Sequence, residues 1–215
     1  MATMASFSTD KELITFARRF FRDRVGSFRK DVRICLTADN KREHAYFPAL
    51  ITCIAFLDLL SGLYSGKLEG HGLTELQQYV SRFMNPTNYD PLRVSVLYMT
   101  FRHKIAHLSV PYVVFDTRTR KEFAAHKQRR ITWSVFASKR PQPIELKDYA
   151  APRPFKKTLR PWPLDYDCRA LVSVRRFEVD IVKSIYGKSG YLKHLEADAN
   201  ARAQFTKCMN SLFPT

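Results

Sequence analysis

The segment from Tyr46 to Tyr64 limits what this chain can fold into more than any other. It reads YFPALITCIAFLDLLSGLY, with Asp58 as its single charge, so it is apolar nearly all round and must be covered on every side. It approaches the length of a membrane span, but Asp58 interrupts it and only about 12 residues are strongly apolar, short of the ~20 that a bilayer requires. The segment therefore reads as a buried central helix. Pro48, whose missing N–H costs nothing in a first turn, opens it, and Gly62 and Gly66 lie near its end. A buried carboxylate without a partner is costly. Asp58 thus either meets a cation, with Arg102 as the candidate, or sits at an exposed edge and faces water.

Such a helix needs other helices around it. From Asp10 to Leu36 the residues Ile14, Ala17, Phe21, Val25, Phe28, Val32 and Cys35 recur at steps of three or four, the pattern of a long amphipathic helix. Gly26 marks a place where it could bend. Arg18, Arg22, Arg29 and Arg33 lie along one face as a cationic stripe that could track phosphates. The same stripe, diluted by Asp23 and Asp31, also fits an ordinary solvated face. A shorter helix covers Leu73 to Met84, and a fourth starts with Asp90 as N-cap and Pro91 at the first helical position.

The fourth helix carries the segment Phe101-Arg102-His103-Lys104-Ile105-Ala106-His107. With 21 arginines and six histidines in 215 residues, roughly 0.6 Arg-x4-His matches arise by chance, so the spacing means something only in context. At about 100° per residue, Val94, Leu97, Phe101, Ile105 and Leu108 form the packing stripe, and Arg102, His103 and His107 lie off it. Arg102 and His107 stand about 140° apart, too wide to face each other on a straight helix. The pair needs fraying near His107, or a second subunit that completes the cleft. Leu92, Val96 and Met99 form a second apolar face that sheet, loop or partner could cover, and the expectation drawn from it is a homodimer through that face. Arg120 and His126, a looser match in a polar stretch, are set aside as chance. His103 and His107 have a metal-sharing spacing, but no Glu, Asp or Cys lies within a turn of either, so no metal and no cofactor are expected.

Lys and Arg outnumber Asp and Glu by 36 to 20, a formal charge of +16. Such an excess attracts a polyanion, nucleic acid foremost, although a basic surface kept for solubility would give the same count. The four cysteines are scattered without disulfide or zinc spacing, which suits a reduced, cytoplasmic protein, and the N-terminus lacks the pattern of a secretory signal. Gly187-Lys188-Ser189 resembles a phosphate loop, but Val182 stands where its first glycine belongs, which argues against nucleotide hydrolysis.

Beyond Pro111 the period changes. Tyr112–Phe115 and Ile131–Phe136 read as a hairpin, with a third strand over Arg169–Val174. Between them the proline-rich stretch Pro141–Pro163, with Arg140, Arg153, Lys156, Lys157 and Arg160, reads as an extended basic loop. It is either an RNA-contacting arm with Phe155 or Trp162 for stacking, or a solvated connection with packed aromatics. Arg175–Tyr186 and Tyr191–Leu212 are expected to be helical. The expected organisation is one compact domain, mainly α: a helical bundle over 10–110, a β-hairpin and proline-rich insertion over 111–174, and C-terminal helices over 175–213 that pack on the bundle.

The long first helix, the apolar second helix with Tyr-Phe-Pro-Ala-Leu and a late acidic residue, and a later helix ending in Phe-Arg-His-Lys-Ile-Ala-His together resemble the HEPN superfamily (higher eukaryotes and prokaryotes nucleotide-binding). The resemblance covers about residues 10–110. It implies an antiparallel helical bundle, usually dimeric, and in many members a metal-independent endoribonuclease. On that basis His107 would take the proton from a ribose 2′-OH, and Arg102 would bind the phosphate and its growing charge. His103 would orient the phosphate or act as the acid, with Asp58 in support and Lys104 among the nucleic-acid contacts. Cleavage would leave a 2′,3′-cyclic phosphate, in a toxin or phage-defence setting where an antitoxin protein is a further partner. Several members of the superfamily are inactive, so the resemblance equally allows a non-catalytic module that binds nucleic acid or protein.

Overall fold

The computed structural model describes residues 7–37, 46–102, 114–118, 120–154 and 165–213. The protein is mostly helical with a small four-stranded mixed sheet. It divides into two compact units, one formed by Met1–Pro86 with Glu178–Thr215 and the other by Thr87–Phe177. The helix that carries Arg102 groups with the strands in the second unit.

The first unit contains α1 (Asp10–Leu36), α2 (Tyr46–Ser65) and α3 (Leu73–Phe83). With them stand α5 (Val174–Tyr186), inside which the division falls, α6 (Tyr191–Ala197) and α7 (Ala199–Leu212). Thr9 caps α1 by accepting the Glu12 N–H at 3.2 Å, and the Glu12 carboxylate reaches back to the Ser8 N–H at 2.9 Å, which satisfies donors that a first turn leaves open. α1 continues through Gly26 without a break. As its periodicity predicts, Ala17, Phe21, Val25, Phe28 and Val32 are buried, joined by Leu13, Phe20 and Leu36. α2 is the central helix: it packs against α1, α3 and α7, and Leu50, Cys53, Leu60 and Leu63 are fully covered. By length and composition it could cross a membrane, yet 56% of its most apolar window is buried inside the protein. Phe28 stacks on Phe56 at 4.5 Å. Below α2, Tyr79, Phe83 and Tyr191 meet edge to face, with Tyr191 donating to the Leu63 carbonyl at 3.0 Å. At Gly62 a Cβ would sit 2.9 Å from the Lys67 carbonyl, and Gly66 turns the chain at φ +71°, a conformation that favours glycine. The expected continuous helix after Tyr191 is two helices, because the Asp198 carboxylate accepts the Ala201 N–H and restarts the chain as α7.

In the second unit, α4 (Pro91–Leu97) starts at the predicted Asp90–Pro91 pair, with the Asp90 carboxylate accepting the Arg93 N–H at 2.8 Å. The α-helix ends at Leu97. Tyr98–Arg102 then runs as a π-helix, in which each hydrogen bond spans five residues rather than four.

The strands are β1 (Phe115–Asp116), β2 (Arg130–Phe136), β3 (Ile144–Pro154) and β4 (Asp165–Ser173), in the order β1-β2-β4-β3. β1 and β2 pair antiparallel with Phe115 opposite Ile131, although Tyr112 and Val113 of the expected first strand lie outside the described residues. β2 runs parallel to β4, and β3 antiparallel to it.

One expectation is corrected here. The stretch from Ile144 to Pro154 is a strand, not a loop; it forms a sheet edge, where prolines such as Pro152 and Pro154 are tolerated because no ladder bond is lost. The Leu92/Val96/Met99 face packs against the chain's own sheet, one of the covers that the sequence left open. Val96 is 1% exposed in one cluster with Phe115, Phe123, Ile131, Cys168 and Ala170, and Leu92 and Met99 pack against that cluster.

Candidate functional site

The motif helix is buried on more than its packing stripe. Val94, Leu97 and Phe101 are covered as expected, but so are Ser95, Val96, Tyr98 and Thr100, and Phe101 meets Trp133 of β2 edge to face at 5.7 Å. Arg102 is the last residue of the π-helical turn. The backbone turns less per residue there than the ~100° of an α-helix, and the expected ~140° offset between Arg102 and His107 falls on residues outside the described ones. The side chain of Arg102, and His103, Lys104 and His107 entirely, lie outside the described residues. So do Phe155, Lys156, Lys157, Arg160 and Trp162 of the expected basic arm.

Asp58 sits in the first unit, where its carboxylate lies 3.2 Å from Nε2 of His71. The His71 side chain is 7% exposed, and the two groups are out of line for a hydrogen bond. Nothing in the spacing of the sequence singles out His71, which stands in the loop before α3. The expected pairing of Asp58 with Arg102 involves a side chain outside the described residues.

The arginine stripe on α1 is exposed, but three of its four members face carboxylates. Arg18 meets Glu196 at 2.6 Å, Arg22 meets Asp23 at 3.3 Å and Arg29 meets Glu178 at 3.0 Å; Arg33 is exposed in the last turn. Exposed pairs of this kind add little stability, yet they cancel much of the field that a phosphate would feel. A polar groove of about 720 Å³ also opens in this unit, lined by Lys67, Glu75, Gln78, Arg82, His194 and Asp198 among others. Its two carboxylates serve the backbone: Glu75 accepts the Gly72 N–H, Asp198 the Ala201 N–H, and these bonds hold both below the ordinary carboxyl value. They are not arranged as an acid–base pair.

The net charge resides elsewhere. Residues 87–177 hold 19 Lys and Arg against seven Asp and Glu, a net of +12, while the rest of the chain holds 17 against 13, a net of +4. Six of those seven acids are already engaged. Asp90 pairs with Arg93, Asp116 with Arg118, Glu145 with Arg140, Asp148 with Arg129 and Lys127, and Asp165 and Asp167 with Arg130. Hydrogen bonds from Arg118 hold the Asp116 carboxyl below its ordinary value. Burial works to raise Asp148, but the Arg129 hydrogen bond and charge outweigh it and leave it lowered. Arg120, discounted as half of a chance match, lies with its guanidinium 4.8 Å over the Phe115 ring.

Thiol chemistry has no foothold among the three buried cysteines. Burial pushes the Cys168 thiol up to about 12 and that of Cys208 up to about 11, and raises Cys53 as well, so the reactive thiolate is scarce. Among the described residues no three His, Cys, Asp or Glu side chains gather closely enough to hold a metal ion. Comparison of the chain with protein-family models, with curated proteins and with solved structures returns no match.

Proposed function

We propose that this protein is a metal-independent endoribonuclease that works through Arg102 and His107. One observation supports this reading most: Arg102, which opens the Arg-x4-His segment, is the last residue of a π-helical turn, in the unit that holds +12 of the net charge. π-helical turns occur frequently at functional sites, and a basic surface draws in a polyanion. In the proposed reaction His107 removes the proton from a ribose 2′-OH, whose oxygen attacks the adjacent phosphorus. The P–O5′ bond breaks, a 2′,3′-cyclic phosphate remains, and the leaving 5′-oxygen takes a proton, for which His103 is the candidate donor. Arg102, always charged, stabilises the phosphorane. The need for a 2′-OH makes RNA the substrate and excludes DNA. Such a role suits the cytoplasm, where free thiols such as those of Cys53, Cys168 and Cys208 stay reduced. A homodimer and an antitoxin protein remain the partners of the same proposal.

The concentration of charge in residues 87–177 also favours a second reading, a non-catalytic RNA-binding module of the same superfamily. Incubation of single-stranded RNA with the protein in EDTA separates the two. The expected result is cyclic-phosphate ends that disappear in Arg102→Ala and His107→Ala; intact RNA with salt-sensitive binding would leave the module and remove the enzyme.

A further inference from the structure

β3 and β4 place two cations directly opposite each other. In the antiparallel register Lys147 pairs with Arg169, while Glu145 pairs with Leu171. Directly opposed residues share a sheet face, and like charges in that position destabilise the pair. Burial alternates along β4: Tyr166, Cys168, Ala170 and Val172 are buried, while Asp167, Arg169 and Leu171 between them are less so. Lys147 is exposed.

The carboxylates that could neutralise the pair face other cations. Glu145, two residues before Lys147, receives Arg140 at 3.1 Å, and Asp167, two before Arg169, accepts the Arg130 N–H at 2.8 Å and faces its guanidinium at 3.9 Å. Arg169 is instead held by a neutral group: its Nη2 donates to the Tyr166 hydroxyl at 2.7 Å, and its Nε is buried without a partner among the described residues. Arg153, opposite Tyr166 in the register and so on the other face from Lys147 and Arg169, lies 4.2 Å over the Tyr149 ring. Lys147 and Arg169 are thus brought together by strand pairing, and no carboxylate among the described residues neutralises them.

We propose that the Lys147–Arg169 cross-strand pair is a binding site for consecutive phosphates of single-stranded RNA. A phosphodiester supplies the negative charge that the sheet itself withholds, and a strand of RNA offers several at regular spacing, which matches two cations on adjacent strands. The inference rests on the RNA reading given above but not on catalysis.

Fluorescence anisotropy with a labelled single-stranded oligonucleotide, read at several salt concentrations, tests it. The double variant Lys147→Gln/Arg169→Gln is expected to bind about ten-fold more weakly or worse at 0.1 M salt, with a log–log salt slope shallower by roughly 1.4 for two lost phosphate contacts. Its melting temperature without RNA should not fall, since a repulsion is removed; Lys147→Gln alone, at an exposed site, gives a smaller shift in the same direction. Unchanged affinity and slope in both variants would overturn the site. A wild type that binds RNA but does not cleave it leaves this inference standing and removes the catalytic one. A wild type that binds no RNA removes both.

Discussion

The two units carry similar numbers of cations and differ in what those cations face. In the first unit the α1 arginines meet carboxylates from neighbouring helices, as Arg18 meets Glu196 and Arg29 meets Glu178. In the second, nearly every acid is engaged and a surplus remains, including the opposed Lys147 and Arg169. A row of arginines along a helix is therefore a weaker sign of nucleic acid than a smaller set that the fold leaves unneutralised. The units also bury their central helices differently. α2 is surrounded by helices, whereas α4 sets one side, through Val96, into the core of a sheet.

The largest expected effect breaks that contrast at Val96. Val96→Glu would place a carboxylate at a site 1% exposed, at a cost of roughly 3–5 kcal/mol. Hydrogen exchange should show protection lost across β2 and β4 while α1 and α2 keep theirs. Loss in both units together would mean that they do not open separately. Met99→Glu should likewise lower the melting temperature, because Met99 packs against the same cluster.

Acid should loosen the second unit through Asp148. Its carboxyl is held low by Arg129 against the opposing effect of burial. The stability it contributes is present above the ordinary aspartate value near ~3.9 and is lost as pH falls through the lowered one. In Arg129→Gln the acid-side loss should shrink and stability at neutral pH should drop; identical acid melting curves for the two proteins would contradict the assignment. The smallest effect belongs to the first unit. Gly26 lies inside α1, and a Cβ there meets nothing within 4 Å. Gly26→Ala should therefore stabilise the helix by about 0.5–1 kcal/mol, seen as a higher melting temperature; a lower one would mean that the helix needs the glycine.

Much of this was readable from residues alone, and what was not has identifiable causes. The N-cap of α4 at Asp90, the buried side of α1 and the central place of α2 follow from local spacing and composition. Periodicity also showed that Val96 faces something apolar, but it could not say whether sheet or partner covers it, since that depends on contacts remote in sequence. The π-helical turn at Tyr98–Arg102 leaves no mark in residue type, so an α-helical wheel cannot reveal it. β3 escaped notice because its apolar alternation is confined to Ile144–Leu146, after which exposed charges and prolines take over, as an edge strand permits. Asp198 looks like one more polar residue on a helix and acts instead as a cap, and the meeting of His71 with Asp58 comes from a loop that no periodic rule describes.

The claim that RNA engages residues 87–177 rather than the α1 stripe can be tested by ultraviolet cross-linking of single-stranded RNA to the wild-type protein, with the attached peptides identified by mass spectrometry. The expected cross-links fall on peptides from Tyr98–His107, β3 and β4. Cross-links confined to α1 would contradict the account.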